Sequence, residues 1–294
     1  MRLSFIINNT KGLSKMARDV MTLVEDSSDL EGNYLYTNGP KHAISLAYEE
    51  ASKADVIIAV GGDGTCNEVI NGLGKYKGAM PKFAVIPTGS GNDFFSVLPT
   101  LTPEEFISRI LNNSFQVIDL GKVGFKNKDA YFLNVADIGF GAKVVELLNK
   151  QRKKGLGGKL SYVIAILRTF FLHKKAHIEI QGDNFEFKGK FLMVAFCNGS
   201  TFGHGLVINP DARIDSNKLN LTVIGDVSIF AYILNLSRLK KGGHINHSKV
   251  HYFETESATI KIIGEKQWME GDGEILGANT HTVSILANAI KLIC

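Results

Sequence analysis

Between residues 2 and 120 the chain alternates two periods. Apolar runs at 2–8, 33–37, 55–60, 82–87 and 116–120 read as buried strands, and helical stretches lie between them at 14–25, 42–52, 65–72 and 103–112. Ser14 and Thr102 stand where helix caps belong, with Pro103 at a first helical position. Alternation of this kind marks a parallel sheet with helices on its faces. Ligands of such sheets bind beyond the carboxyl ends of the strands. Past Gly121 the texture changes. Segments 130–137, 175–181, 185–197, 218–225, 249–262 and 283–293 are strand-like, with turns such as Gly182-Asp183-Asn184, and helices at 143–150 and 159–173 interrupt them. The expected organisation is an α/β domain with a parallel sheet over 1–121, followed by a mainly β domain over 122–294.

A length of 294 residues accommodates two such domains. With 45% hydrophobic and 21% charged residues, the chain is neither disordered nor low in complexity. A net charge of +4 suits an anionic ligand or membrane surface and is too small to argue for nucleic acid. Cys66, Cys197 and Cys294 are too scattered for a disulfide framework or a CxxC metal site, which favours a reducing compartment. The N-terminal apolar run is too short for the core of a signal peptide. The stretch 160–172 is interrupted by Arg168 and falls short of the ~20 residues a spanning helix needs. A cytoplasmic protein is expected.

The thirty glycines are read position by position. Val60-Gly61-Gly62-Asp63-Gly64-Thr65 follows a strand and opens a helix. Glycines there let the backbone approach phosphate oxygens, and helix N-terminal amides supply positive potential. Asp63 would hold Mg²⁺ or organise water at the phosphates; the bland alternative is an N-capping aspartate. Neither Walker A nor GxGxxG spacing is present. A second glycine turn, Thr88-Gly89-Ser90-Gly91-Asn92-Asp93, follows the next strand, and the pair would form one wall of a phosphate cleft. Near the C-terminus, Trp268-Met269-Glu270-Gly271-Asp272-Gly273-Glu274 alternates acid and glycine, so in an extended strand the three carboxylates would share one face. One would accept a proton from a substrate hydroxyl while another tunes it or helps hold metal. Solvated edge carboxylates are the competing explanation.

Together these motifs resemble the diacylglycerol kinase catalytic family, in its soluble bacterial lipid-kinase branch related to sphingosine and ceramide kinases. The likeness spans nearly the whole chain, from Ile7-Asn8-Asn9-Thr10-Lys11-Gly12, through Asn134-Val135-Ala136-Asp137-Ile138-Gly139-Phe140-Gly141 and Cys197-Asn198-Gly199-Ser200-Thr201-Phe202-Gly203, to Asp272-Gly273-Glu274. The Gly-Gly-Asp-Gly-Thr motif alone is shared with NAD kinases and phosphofructokinases. The resemblance implies an NAD kinase-like α/β domain, a β-sandwich domain, and an ATP-dependent active site in the cleft between them. It implies ATP contacts at Asn8, Thr10, Gly12 and Thr37, and at Gly62, Asp63, Gly64, Thr65, Asn67, Glu68 and Ser90. It also implies a catalytic set of Glu274 as proton acceptor with Asp272 and Asp63, and Mg²⁺ carried with the nucleotide. Asp119 matches a family aspartate at the domain junction, where a structural role competes with a catalytic one.

Three positions depart from the family pattern. Ser96 stands where an arginine is common, Asn9 where proline is usual, and Ser216 where relatives carry an aspartate of a structural Mg²⁺ site. Serine offers a neutral oxygen where Mg²⁺ favours carboxylate, so the position formed by Arg213, Ser216 and Lys218 is expected to be weak or empty. His244, His247 and His251 are read as surface histidines. Lys150-Gln151-Arg152-Lys153-Lys154 and the apolar 160–172 helix fit a solvated loop and core, with docking on an anionic leaflet as the alternative. The expected partners are therefore ATP and a lipid acceptor at the membrane surface, with peripheral membrane association, no nucleic acid, and homodimerisation left open. Two rivals stand beside this reading: a soluble-substrate kinase of the NAD kinase type, and a catalytically lapsed nucleotide- or lipid-binding regulator.

Overall fold

Residues 56–60 are fully buried, as are Leu3, Phe5, Ile6 and Ile7. Strands without an exposed face are what a parallel sheet between two helical layers requires. In the computed structural model, which describes residues 1–10, 12–88, 93–95, 98–152, 159–203, 205–279 and 281–294, these runs are β1 (Arg2–Ile7) and β3 (Val56–Gly61). They alternate with α1 (Lys15–Glu25), β2 (Glu31–Tyr36), α2 (His42–Glu50), α3 (Asp63–Leu73), β4 (Lys82–Pro87) and α4 (Pro103–Leu111). The Ser14 hydroxyl accepts from the Ala17 amide (3.2 Å) to start α1, and Thr102 and Glu105 form a reciprocal capping box on α4. Pairing is parallel throughout, in the order β2-β1-β3-β4. Alternate strand residues pack on Ala17, Val20, Val24, Phe106 and Ile110 of α1 and α4. From the opposite face Ser4 donates to the buried Glu50 of α2 (2.7 Å). The Asn33 amide and Lys53 share that carboxylate. Burial alone would raise it, yet these donors hold Glu50 below the usual carboxylate range.

The chain divides into two units, Met1–Leu120 with Ala287–Cys294, and Gly121–Leu286. Residues 287–294, which the expected second domain included, group by contact with the first unit. β5 (Gln116–Gly124) leaves the first unit, and β17 (Thr282–Ile293) returns to it, setting Leu292 and Ile293 beside Phe83 and Ala84 of β4 in parallel register. The Asp119 carboxylate accepts from the Asn288 amide (2.8 Å), fastening the outgoing strand to the returning one.

The second unit is antiparallel. Its elements in order are β6 (Asp129–Phe132), β7 (Val135–Gly139), α5 (Phe140–Arg152), α6 (Lys159–Leu172), β8 (Ala176–Gln181), β9 (Glu186–Cys197), β10 (Thr201–Phe202), β11 (Leu206–Val207), β12 (Leu219–Gly225), α7 (Ile229–Lys240), β13 (Val250–Thr255), β14 (Ser257–Ile263), β15 (Trp268–Gly271) and β16 (Glu274–Ala278). β9 is the organising strand, pairing with β8 along its first half and with both β7 and β12 along its second. Its period of two feeds two cores. Val194 and Phe196 join Ile138, Leu221 and Val223 in one, while Met193, Ala195 and Cys197 join Phe140, Val144 and Leu239 beneath the helices.

Three expected elements differ, and a fourth element is additional. The run 130–137 is broken at Leu133 and Asn134, and 249–262 is broken at Glu256, so each is two strands. The helix foreseen at 143–150 starts at Phe140, and α7 was not foreseen at all.

Candidate active site

The strand order β2-β1-β3 means that connections leave β1 and β3 toward opposite sides. That topological switch point opens a crevice at the carboxyl ends of these two strands. Asn8 follows β1 and the glycine turn follows β3. The Asn8 amide donates to the Val60 carbonyl (2.9 Å), and its side-chain amide donates to Thr65 Oγ1 (3.2 Å). Its Oδ1 accepts from both the Thr10 amide (3.2 Å) and the Thr10 hydroxyl (2.7 Å). One asparagine thus ties the turn after β1 to the first turn of α3. Gly61 permits this closeness, because a Cβ there would lie 2.3 Å from Thr65 Oγ1.

Helix α3 begins at Asp63, two residues earlier than expected. Its cap is Gly62, which contributes no side-chain bond, so Asp63 is a first-turn carboxylate and not the cap. Amides at such an end are positioned for phosphate oxygens. Thr37 and Thr88 lie at the same edge, donating their amides to Ile7 (2.9 Å) and Gly61 (2.8 Å), and Gly12 takes a left-handed conformation in the turn after β1. Two of the expected ATP contacts also hold groups of the protein. Glu68 accepts from the amides of Lys41 (2.7 Å) and Ala43 (3.2 Å), capping α2 from a neighbouring helix. Asn67 is buried and accepts from the Asn71 side chain (3.1 Å). Ser90 and Ser96 lie outside the described residues.

The acidic motif near the C-terminus is not one extended strand. Asp272 (φ 50°) and Gly273 (φ 83°) are both left-handed, a two-residue turn joining β15 to β16. The turn separates the three carboxylates. Glu274 opens β16, opposite Gly271, and is exposed. The Asp272 carboxylate turns inward and accepts from the amides of Leu133 (2.8 Å), Asn134 (2.9 Å) and Val135 (3.3 Å). Asn198 braces the same break, donating its side chain to the Leu133 carbonyl (2.7 Å) and its amide to the Asn134 carbonyl (2.9 Å). Three sequence motifs thus meet to hold one hairpin. Asp272→Ala would strand three amides and should cost on the order of 3 kcal/mol, while Asp272→Asn, which keeps one acceptor, should cost less. Equal melting temperatures for wild type and the alanine variant would exclude this clamp.

Glu270 lies directly opposite Asp137 on β7, both buried. Burial raises Asp137 to about 6, against the amides of Ala142 and Gly141 that favour its charge. Burial, and then the neighbouring Asp137 charge, push Glu270 well above the usual carboxylate range. The two share a hydrogen bond and hence a proton. Their folded values lie above the unfolded ones, so the native state binds more protons. The stability they contribute is complete below about pH 4 and is lost as pH rises through about 6. In Glu270→Gln an amide stands for the protonated carboxyl. Wild type should therefore lose stability relative to this variant between pH 5 and pH 8, on the order of 3 kcal/mol. Thermal melts of both proteins across that range check it, and parallel profiles would exclude the shared proton.

The Arg213–Lys218 turn does not fit Mg²⁺. The Ser216 hydroxyl lies within hydrogen-bond reach of both carbonyls concerned, Arg213 (3.0 Å) and Lys218 (3.3 Å), and the set contains no carboxylate. Asp215 is drawn to the Arg213 guanidinium instead (3.2 Å). Among the described residues no histidine, cysteine and acid cluster forms a metal site, and His244 pairs with Asp211 (2.7 Å). Of the basic run that begins in the last turn of α5, Lys150 pairs with Glu146 (2.5 Å), whereas Lys153 and Lys154 lie outside the described residues. Beneath α7 a small apolar cavity of about 40 Å³ is lined by Met193, Phe202, Leu206, Ile224, Tyr232 and Leu239.

The family model described as the diacylglycerol kinase catalytic domain matches residues 2–123. The model described as the YegS C-terminal NAD kinase beta sandwich-like domain matches residues 134–294. The chain is 30% identical over 252 residues to a Shigella flexneri protein named "Probable lipid kinase YegS", covering 83% of this chain and 80% of that one. It is 27% identical to the Escherichia fergusonii protein of the same name, over 97% and 93% of the two chains. Among solved structures it is similar in fold to a diacylglycerol kinase from Bacillus anthracis (TM-score 0.71, 21% identity, 99% and 96% covered). An NAD kinase from Archaeoglobus fulgidus in complex with ATP is more distant (TM-score 0.52, 15% identity, 97% and 89% covered).

Proposed function

Because the chain belongs to the diacylglycerol kinase catalytic family of lipid kinases, we propose that it transfers the γ-phosphoryl group of ATP to the hydroxyl of diacylglycerol or a related membrane lipid. The observation that carries this reading is the helix that opens without a side-chain cap at the sheet's switch point, with Asp63 in its first turn. Phosphoryl transfer demands positioning and charge neutralisation more than covalent chemistry. The Gly62–Thr65 turn binds the phosphates through its amides, with Asn8, Thr10, Gly12 and Thr37 supplying the rest of the ATP surface. Mg²⁺ arriving with ATP would neutralise phosphate charge, and one carboxylate beside substrate phosphates is a donor set it accepts. Asp63 is that carboxylate. Glu274 accepts the acceptor's hydroxyl proton, while Asp272 acts through the backbone, fixing the turn from which Glu274 projects. The relatives named as probable lipid kinases support an acceptor with hydrocarbon chains.

ATP consumption measured with diacylglycerol in mixed micelles, with NAD, and with no acceptor tests the reading. Turnover only with lipid is expected. Turnover with NAD would assign a soluble acceptor, and none with any acceptor would leave a nucleotide-binding regulator.

A further inference from the structure

Helices α6 and α7 turn their apolar residues outward. On α6 the exposed residues are Val163, Ile164, Leu167, Arg168, Phe171 and Leu172, whose spacing makes one stripe, with Phe171 82% exposed. On α7 the outward stripe begins with Phe230, Ile233 and Leu234 and continues through Ser237 to Arg238. Phe230 and Leu234 are 75% and 79% exposed. The inner faces pack together, Phe170 against Tyr232 (ring centroids 5.2 Å) and both against Phe140. The two stripes therefore belong to one surface of one unit. Soluble helices bury such residues, and contiguous exposed apolar patches mark interaction sites.

The charges around the stripes select the partner. Neither helix contains a single aspartate or glutamate. Arg168 lies within the α6 stripe, and Arg238, Lys240 and Lys241 are exposed at the end of α7. The acids nearest in sequence to the two helices are engaged, Asp226 by Lys175 and Lys190, and Glu179 by Lys261. Large apolar side chains flanked by cations without an ion pair among the described residues match the boundary between acyl chains and anionic headgroups. No helix is long and apolar enough to cross a membrane, and α6 and α7 span 14 and 12 residues, so they would lie in the interface plane. We propose that the α6–α7 surface docks the protein onto an anionic bilayer, seating Phe171, Phe230 and Leu234 below the headgroups. This deepens the lipid-kinase reading and rests on it only for the purpose of docking. α7 also lines the small apolar cavity, through Ala231, Tyr232, Asn235 and Leu239.

The test compares full-length wild type with Phe230→Ser/Leu234→Ser and with Arg238→Glu/Lys240→Glu. All four positions are exposed, so melting temperatures should stay at the wild-type value. Sedimentation with vesicles of phosphatidylcholine alone or with 30% phosphatidylglycerol measures docking, and phosphorylation of a short-chain diacylglycerol below its micellar concentration measures chemistry. Wild type should bind the anionic vesicles, less strongly as salt is raised. The serine variant should lose at least about tenfold in partitioning, and the charge-reversed variant should lose its preference for anionic vesicles. Both should retain wild-type rates on the monomeric substrate. Wild-type partitioning by the serine variant overturns the proposal. So does a homodimer that the serine substitutions dissociate, since the surface would then be covered by a second copy. Vesicle binding without phosphorylation of any lipid would leave docking standing and remove the kinase reading instead.

Discussion

Replacing Glu274 with glutamine should lower the turnover number for lipid phosphorylation by at least about 10²-fold, because general-base help is typically worth 10²–10⁴. The KM for ATP should stay within about twofold, since the group acts on the acceptor and only as its proton leaves. Glu274 is exposed at the start of β16, and the hairpin is held by the Asp272 carboxylate and the Asn198 brace, so the variant should melt like wild type. Glutamine keeps the volume and an acceptor oxygen but cannot take up the proton. Steady-state kinetics at saturating ATP decide the matter. Near-normal turnover would transfer the base role to another group.

Asp63→Ala should be the more severe change, at about 10³-fold or more in turnover. Charge stabilisation by a correctly held metal is worth several kcal/mol, and each 1.36 kcal/mol is tenfold in rate. The position also separates ligand chemistry from helix capping. A lost cap costs about 0.5–2 kcal/mol of stability, but the cap of α3 is Gly62, which offers no side chain. Removing Asp63 withdraws a first-turn carboxylate from the helix dipole, at about 0.3–1 kcal/mol. Inactive, folded protein is therefore the expected result. Asp63→Asn should resemble alanine in rate, because the amide lacks the charge. An active variant with a lowered melting temperature would make Asp63 a purely structural residue.

The first domain was legible because its strands are buried on both faces and its helices carry their own start signals. Ser14, Thr102 and Pro103 set boundaries that the structure keeps to within a residue. The second domain hid its breaks. Residues 130–137 read as one apolar run because a lone Asn134 is a weak turn signal among apolar neighbours; the interruption is held from a distance by Asp272 and Asn198. The acidic motif was misread in geometry, although Asp272-Gly273 is the dipeptide that a two-residue turn favours. Periodicity of acid and glycine masked that signal. Helix α7 was missed for an opposite reason: its apolar residues face outward, so the pattern lacks the usual contrast between faces, and only the Ser228 cap marks the start. The candidate residues were found by motif, but their division of labour was not. Nothing local in the sequence announces that the carboxylates of Glu68 and Asp272 hold backbone amides.

The return of β17 to the first sheet also sets an order of events during synthesis. Leu292 and Ile293 pair with Phe83 and Ala84, about 200 residues upstream, and at roughly 5–20 residues per second that gap lasts about 10–40 s. Through this interval β4 presents an unpaired hydrogen-bonding edge beside buried apolar side chains, the kind of edge that recruits strands from other chains. The unit that emerges first from the ribosome is thus the one that finishes folding last. A fragment cut at residue 123 would keep that edge open permanently, and its solubility should depend on whether the returning strand is supplied to it.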